Sequence, residues 1–271
     1  MPELPEVETI ARGLDKRVSG DAIESVWLGS KSEPLKSSAE EILAALESKT
    51  ISGVRRAGKH IVFDLTPSNR SRAKNGQWIV HLGMTGSLRV SPPEVPVEKH
   101  THAIVKLSSG RELRFIDPRR FGRLSVIEKF AAPGSEPLHI SFEDFAKLFR
   151  KRKTPIKSAL LNQKLLSGVG NIYADEALFR AKVRPRRRAS SLTGDELKRL
   201  HAGLKKVLNQ AIRLGGSSIS DYVDADGEEG FFQLKHRVYG REDKPCVVCK
   251  APIKRVVIAG RSSHYCPQCQ K

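Results

Sequence analysis

The four cysteines of this 271-residue chain all fall in its last 26 residues, as Cys246-x2-Cys249 and Cys266-x2-Cys269 with 16 residues between the pairs. Two close pairs at that separation have the spacing of a four-thiolate tetrahedral zinc site. The alternative, two disulfides, belongs to exported proteins. The chain opens acidic and proline-bearing, Met1-Pro2-Glu3-Leu4-Pro5-Glu6, where a secretory signal would be basic and then apolar. A second reagent lies in that opening. Removal of the initiator methionine would leave Pro2 with a free secondary amine beside the Glu3 carboxyl. An α-amino group has a reference pKa of ~8 against ~10.4 for lysine, so a far larger fraction is neutral and nucleophilic at neutral pH. Its addition to a sugar C1′ gives an iminium that is cationic without protonation and acidifies the neighbouring 2′ hydrogen. On the terminus alone, the plainer reading is the start of a helix.

Three further segments carry chemistry, each with an ordinary structural alternative. Lys59 sits in Arg55-Arg56-Ala57-Gly58-Lys59-His60 at the mouth of a strand, placed as an acid, a phosphate clamp or a solvated charge. Met84, in His81-Leu82-Gly83-Met84-Thr85-Gly86, and Phe121, in Asp117-Pro118-Arg119-Arg120-Phe121-Gly122, lie in loop-like contexts. There an apolar side chain can wedge between bases while Arg119 fills the vacated space, although Met and Phe are ordinarily core residues. In Ser167-Gly168-Val169-Gly170-Asn171-Ile172, a glycine turn feeds a helix N-terminus. Its backbone N–H groups and the Asn171 side chain can receive a phosphate. Arg261 falls between the two cysteine pairs, at the tip of a hairpin that a metal would hold rigid.

The elements that must position these groups follow from periodicity and punctuation. Pro5 to about Val18 reads as a helix, with Ile10, Leu14 and Val18 on one stripe, and Ser38 with Glu41 three residues on opens a second. Strand-like stretches run over 23–28, 51–56, 60–65, 78–82, 87–91, 103–107, 112–116 and 123–128. Many short strands with two helices predict an α+β chain whose first domain, residues 1–130, is β-sandwich-like. Residues 131–140 contain a proline- and glycine-bearing linker. Helical patterns follow at 142–150, 156–161, 172–181 and 193–214, stopped by Gly215-Gly216. The expected second domain, 141–240, carries a polar, acidic loop at 217–230, and the cysteine segment occupies 241–271.

Charge narrows the partner. Lys and Arg number 48 against 30 Asp and Glu, a formal net charge of +18. The excess is uneven, 21 basic against 16 acidic side chains over residues 1–130 and 27 against 14 thereafter. Such an imbalance predicts a polyanion, because cations that neutralise phosphates release counterions and so gain affinity. No apolar run approaches the ~18 residues of a membrane span. A soluble, intracellular, cytoplasmic protein without a membrane partner is the expectation.

Taken jointly, the segments closely resemble the bacterial formamidopyrimidine-DNA glycosylase family. The match runs through P-E-L-P-E-V-E at 2–8, H-L-G-M-T-G-S-L-R at 81–89, D-P-R-R-F-G at 117–122, G-V-G-N-I-Y-A at 168–174, V-Y-G-R at 238–241 and the cysteine pairs. Single motifs are weak, whereas six in collinear order across the chain are specific. The resemblance implies excision of oxidised purines such as 8-oxoguanine from duplex DNA, followed by strand cleavage at the abasic site, by a monomer with one structural zinc. It implies a helix-two-turn-helix second domain and a zinc-ribbon hairpin.

Residue by residue, the resemblance makes Pro2 the nucleophile at C1′ and Glu3 the acid that assists opening of the sugar ring. Lys59 would act in β-elimination and contact phosphate, and Arg261 would bind phosphate and serve δ-elimination. Met84, Arg119 and Phe121 match the triad that fills the gap left by an everted base, with Arg119 facing the orphaned cytosine. His100, Arg119 and position 152 match DNA contacts, and Lys157 joins them as a candidate on one DNA-facing surface across both domains. At 152 the family commonly has lysine and this chain has Arg152. The 217–230 loop corresponds to the segment that closes over the everted base. The sister endonuclease VIII branch, which acts on oxidised pyrimidines, typically opens P-E-G-P-E; Leu4, Met84 and D-P-R-R-F argue against it. A zinc-ribbon module that binds bent or damaged DNA without cutting it is the rival from another class.

Overall fold

The computed structural model describes residues 1–67, 75–218, 225 and 227–271, and these form two compact units. The first comprises Met1–Ala132 with Gly215–Gly230, and the second Pro133–Leu214 with Phe231–Lys271. The chain is α+β, as its patterning implied.

In the first unit, helix α1 (Leu4–Val18) begins at Glu3, whose backbone N–H donates to Glu6 Oε2 at 2.8 Å. Its apolar stripe, Val7, Ile10, Leu14 and Val18, is fully buried. Eight strands follow: β1 (Ile23–Leu28), β2 (Lys49–Ala57), β3 (His60–Pro67), β4 (Gly76–His81), β5 (Ser87–Ser91), β6 (Thr101–Leu107), β7 (Glu112–Ile116) and β8 (Arg123–Ile127). They form two antiparallel four-stranded sheets, in the orders β1-β6-β7-β5 and β2-β3-β4-β8. Helix α2 (Ala39–Leu46) carries the capping box read from Ser38 and Glu41. One core joins both sheets and α1 through Ile61, Phe63, Trp78, Val80, Leu88, Val105, Leu113 and Phe115.

The second unit holds α3 (Phe142–Phe149), α4 (Ile156–Leu161), α5 (Asn171–Ala181) and α6 (Gly194–Arg213), then a hairpin of β9 (Lys254–Ile258) and β10 (Arg261–Tyr265). Ala259 and Gly260 both take positive φ, 47° and 74°, the signature of a two-residue turn whose twist matches the strands it joins. Arg261 is therefore the first residue of β10, one step past the turn. The segment Gly215–Gly230 groups with the first unit, although sequence patterning placed it after α6 in the second domain. Gly216, at φ 85°, explains this locally. A Cβ there would lie 2.9 Å from Glu6 Cγ, so only glycine lets the chain pass this close to α1. Among the described residues no helix is long and apolar enough to cross a membrane.

Candidate functional site

At the head of α1, Pro2 and Glu3 are buried while Met1 is exposed. Glu6, 2% exposed, organises this terminus: one carboxylate oxygen accepts the Glu3 N–H and the other accepts the Ser217 N–H at 2.8 Å. The start of the 217–230 loop is thus tied to the residue next to Pro2. Nothing local to Glu6 reveals a partner 211 residues away. Asp221, Asp224 and Asp226 of that loop lie outside the described residues. Helix α1 is anchored to β2 by the Arg56–Glu8 ion pair, 2.7 Å with the Arg56 side chain only 5% exposed. Three residues beyond Arg56, Lys59 occupies the β2–β3 turn after Gly58, φ 62°.

A second set of loops is built around Asp117, which is fully buried. Its carboxylate accepts Thr85 Oγ1 at 2.6 Å, the Arg119 N–H at 3.2 Å and the Gly122 N–H at 2.7 Å, while its own N–H donates to His100 O at 3.0 Å. One buried residue thereby fixes these loops, its carboxylate those that carry Met84, Arg119 and Phe121 and its backbone N–H the one that carries His100. Met84 and Phe121 are 39% and 44% exposed, so neither is a core residue despite its type. The Arg119 guanidinium lies 4.8 Å from the Phe121 ring centroid, a cation–π stack. Gly83, φ 67°, permits the loop contact, since a Cβ there would sit 2.6 Å from the Phe121 carbonyl carbon. Its N–H donates to His81 Nδ1 at 3.1 Å. Burial, then the neighbouring His60, Lys59 and Arg123, hold His81 down at about 4, which keeps that nitrogen unprotonated and able to accept.

In the second unit, Gln163 staples the glycine turn before α5: its amide accepts the Gly168 N–H and donates to Leu161 O and Val169 O. Asn171 then opens α5 after Gly170, with its Oδ1 buried and without a hydrogen-bond partner. Arg152 is exposed just past α3, its Nε donating to Leu148 O at 2.7 Å.

Lys157 departs from expectation. It is fully buried, its Nζ 2.6 Å from Asp175 Oδ1 and donating at 2.6 Å to Ser262 O. The ammonium faces into the protein, so it does not present charge to a phosphate. Asp175 Oδ2 in turn accepts the His264 N–H at 2.9 Å. This pair grips β10 at two backbone points just beyond the exposed Arg261. The adjacent Glu176 accepts the backbone N–H groups of Arg237, Val238 and Tyr239, shaping the turn of the V-Y-G-R motif.

The cysteine sulfurs converge to within 4.8 Å of one another, with Cys246–Cys269 at 3.9 Å and Cys249–Cys266 at 3.4 Å. A tetrahedron of ~2.3 Å zinc–sulfur bonds has edges of about 3.8 Å, so the donor set fits zinc in number, softness and spacing. Burial, then the surrounding thiols, push Cys269 up to about 12, as expected of sulfurs that need a cation to ionise together. The Val248 N–H points at Cys246 Sγ and the Cys269 N–H at Cys266 Sγ, ready to neutralise thiolate charge. The segment docks on the helices through Gln270, which joins the Cys266 N–H to Val183 O. Two cations of residues 184–188 contribute to this docking, Arg187 through a bond to Lys271 O at 3.4 Å. Arg184 donates to Gln270 O and Pro267 O, and Arg187 pairs with Glu196.

Comparison with known proteins agrees along the whole chain. Family models match as the formamidopyrimidine-DNA glycosylase N-terminal domain over residues 1–124, the formamidopyrimidine-DNA glycosylase H2TH domain over 133–223, and a zinc finger found in FPG and IleRS over 243–271. The formamidopyrimidine-DNA glycosylase of Solibacter usitatus is 45% identical over 279 residues, covering 100% of both chains. A Lactococcus lactis Fpg mutant solved with Fapy-dG-containing DNA superposes with a TM-score of 0.90 at 34% identity over 100% of both chains. The Lactococcus lactis Fpg bound to abasic-site DNA does so with a TM-score of 0.90 at 34% identity over 99% of each. The chain belongs to the formamidopyrimidine-DNA glycosylase family.

Proposed function

We propose that this protein is a monomeric DNA glycosylase and abasic-site lyase of the bacterial cytoplasm, excising oxidised purines from duplex DNA through a Schiff base on Pro2. The observation that carries this reading is the head of α1, where a buried Pro2–Glu3 pair is tied through Glu6 to the 217–230 loop. The DNA-bound relatives, one holding a Fapy-dG lesion and one an abasic site, support the substrate class.

A nucleophile cannot reach C1′ of a stacked base. The damaged nucleotide must therefore leave the helix, at a cost of a few kcal/mol that is least for a damaged pair. Met84 and Phe121, exposed on loops held by Asp117, fill the gap, and Arg119 offers its guanidinium to the orphaned base. Such wedge insertion and the phosphate contacts of His100, Arg152 and Asn171 offset the extrusion cost. Once Met1 is removed, the Pro2 nitrogen attacks C1′, the base departs with the glycosidic electron pair, and Glu3 protonates the ring oxygen as the sugar opens. The iminium acidifies the 2′ hydrogen. Loss of that proton breaks the C3′–O bond, with Lys59 assisting, and a second elimination breaks C5′–O, with Arg261 holding phosphate. Water then hydrolyses the Schiff base and restores Pro2. One zinc, bound by Cys246, Cys249, Cys266 and Cys269, would supply rigidity to the β9–β10 hairpin and takes no part in bond making.

Oxidised guanine differs little from guanine in size, so discrimination rests on pocket hydrogen bonds and the energetics of extrusion. A panel of duplexes tests the substrate class. Cleavage opposite cytosine should be faster at 8-oxoguanine and formamidopyrimidines than at thymine glycol, and the reverse order would place the chain with the endonuclease VIII branch.

A further inference from the structure

Away from every side chain given a role above, α5, α6 and the 231–241 segment enclose a concavity of about 390 Å³ lined by Arg180, Arg199, Ala202, Gly203, Lys206 and Arg237. Four of its six lining residues are cations, and none is acidic. On α6, Arg199, Ala202, Gly203 and Lys206 fall at i, i+3, i+4 and i+7, one stripe of the helix. Gly203 is buried mid-helix, where a glycine costs about 1 kcal/mol relative to alanine. A Cβ there would touch Ala177 O and Arg180 Cβ, both at 3.4 Å, so its absence lets α5 and α6 close and brings the two basic sets together.

The cations are balanced only in part, by the charge of Glu176 acting on Arg180. Among the described residues none of the four forms an ion pair with a carboxylate. Glu176, the acid near Arg180, has its carboxylate engaged by the backbone N–H groups of Arg237, Val238 and Tyr239. Burial, and then the charge of Arg237, lower the pKa of Arg180, whose Nε is buried without a hydrogen-bond partner. Local structure accounts for part of the set. Arg180 suits the C-terminal end of α5 and donates to Gln210 Oε1, and Arg199 donates to Ala181 O. Among the described residues no such bond holds the side chains of Lys206 or Arg237.

We propose that this concavity is an anion site for a small oligophosphate, with Arg180, Arg199, Lys206 and Arg237 as its ligands. Guanidinium forks match phosphate oxygens, the volume lies in the range of small-molecule pockets, and three to four negative charges would balance the four cations. The site is separate from the phosphate contact at the start of α5. Arg180 lies nine residues along that helix from Asn171, roughly 14 Å at 1.5 Å per residue.

The phosphate could belong to a free oligophosphate or to a duplex backbone, and calorimetric titration with inorganic tripolyphosphate distinguishes them. The zinc-loaded full chain is titrated alone and with saturating duplex carrying an abasic-site analogue. One tripolyphosphate should bind in both cases, at least tenfold more weakly in the Lys206→Gln/Arg237→Gln double variant. Duplex affinity and melting temperature should be nearly unchanged in that variant. Equal tripolyphosphate affinity in the double variant would overturn the site. Exclusion of tripolyphosphate by duplex, or a parallel loss of duplex affinity, would assign these cations to the DNA track and overturn the small-ligand proposal. Because the titration is also read on the free chain, failure of the glycosylase reading leaves this test intact.

Discussion

Replacing Lys157 by methionine separates the two roles open to that residue, a phosphate contact or an internal clamp. Methionine keeps most of the aliphatic length and removes the ammonium. Asp175, 0% exposed, then keeps only the His264 contacts and loses its counter-ion at 2.6 Å, while Ser262 O loses its donor. Breaking a buried pair from one side costs about 3–5 kcal/mol, because an uncompensated charge remains. At roughly 4 °C per kcal/mol for a unit of this size, the second unit should melt on the order of 12–20 °C lower. Zinc release, followed with a chromogenic chelator during the melt, reports that unit specifically. The double variant Lys157→Met/Asp175→Leu should recover part of the loss, since it removes the uncompensated charge while leaving Ser262 O and the His264 N–H unpaired. The clamp would be refuted by a Lys157→Met protein that melts within ~2 °C of the parent yet binds duplex as poorly as Arg261→Ala.

Other consequences follow from the same geometry. Gly83→Ala combines a φ of 67° with a Cβ 2.6 Å from the Phe121 carbonyl carbon, so it should displace the wedge loops. Lesion cleavage should fall at least tenfold, with a stability loss of about 1–3 kcal/mol by urea titration; wild-type cleavage would contradict the loop role. Met84→Ala and Phe121→Ala, at exposed positions, should leave the melting temperature within ~2 °C while slowing excision of a stacked lesion more than cleavage at a preformed abasic site. Cys249→Ser, or zinc removal by a chelator, should weaken duplex binding more than it unfolds the first unit; full cleavage by metal-free protein would exclude a structural zinc role. Acidification should destabilise the first unit. His81 is held down at about 4 and His60 is lowered by burial, against an ordinary 6.5. Protons therefore bind the unfolded chain first, and stability present above pH ~6.5 is lost as pH falls toward ~4. Melting temperatures in a pH series check this, and a flat profile across that window contradicts it.

What the sequence disclosed was what local chemistry encodes. The Ser38–Glu41 capping box, the apolar stripe of α1 and the cysteine spacing each depend on neighbours a few residues apart, and each formed as read. Lys157 looked like any cation of a basic chain, because its partners Asp175 and Ser262 come from elements that periodicity cannot pair. Glu6 and Asp117 escaped notice for a related reason: each carboxylate binds local backbone amides but also one distant group, Ser217 N–H for Glu6 and Thr85 Oγ1 for Asp117, that only tertiary structure brings near. The placement of Gly215–Gly230 with the first unit was equally invisible, since it rests on the close pass of Gly216 against Glu6. Met84 and Phe121 were legible as loop residues from the glycines and proline around them, and their exposure agrees.

The central claim, covalent chemistry at Pro2, is tested most directly by borohydride trapping. Protein of confirmed mass without Met1 is incubated with an 8-oxoguanine duplex and borohydride, which reduces the iminium to a stable protein–DNA bond. A one-to-one covalent adduct should form, map to the terminal peptide, and vanish in Pro2→Gly or when Met1 is retained. No adduct from the processed chain on any oxidised-purine or abasic duplex, or an adduct that survives in Pro2→Gly at another residue, would contradict the account.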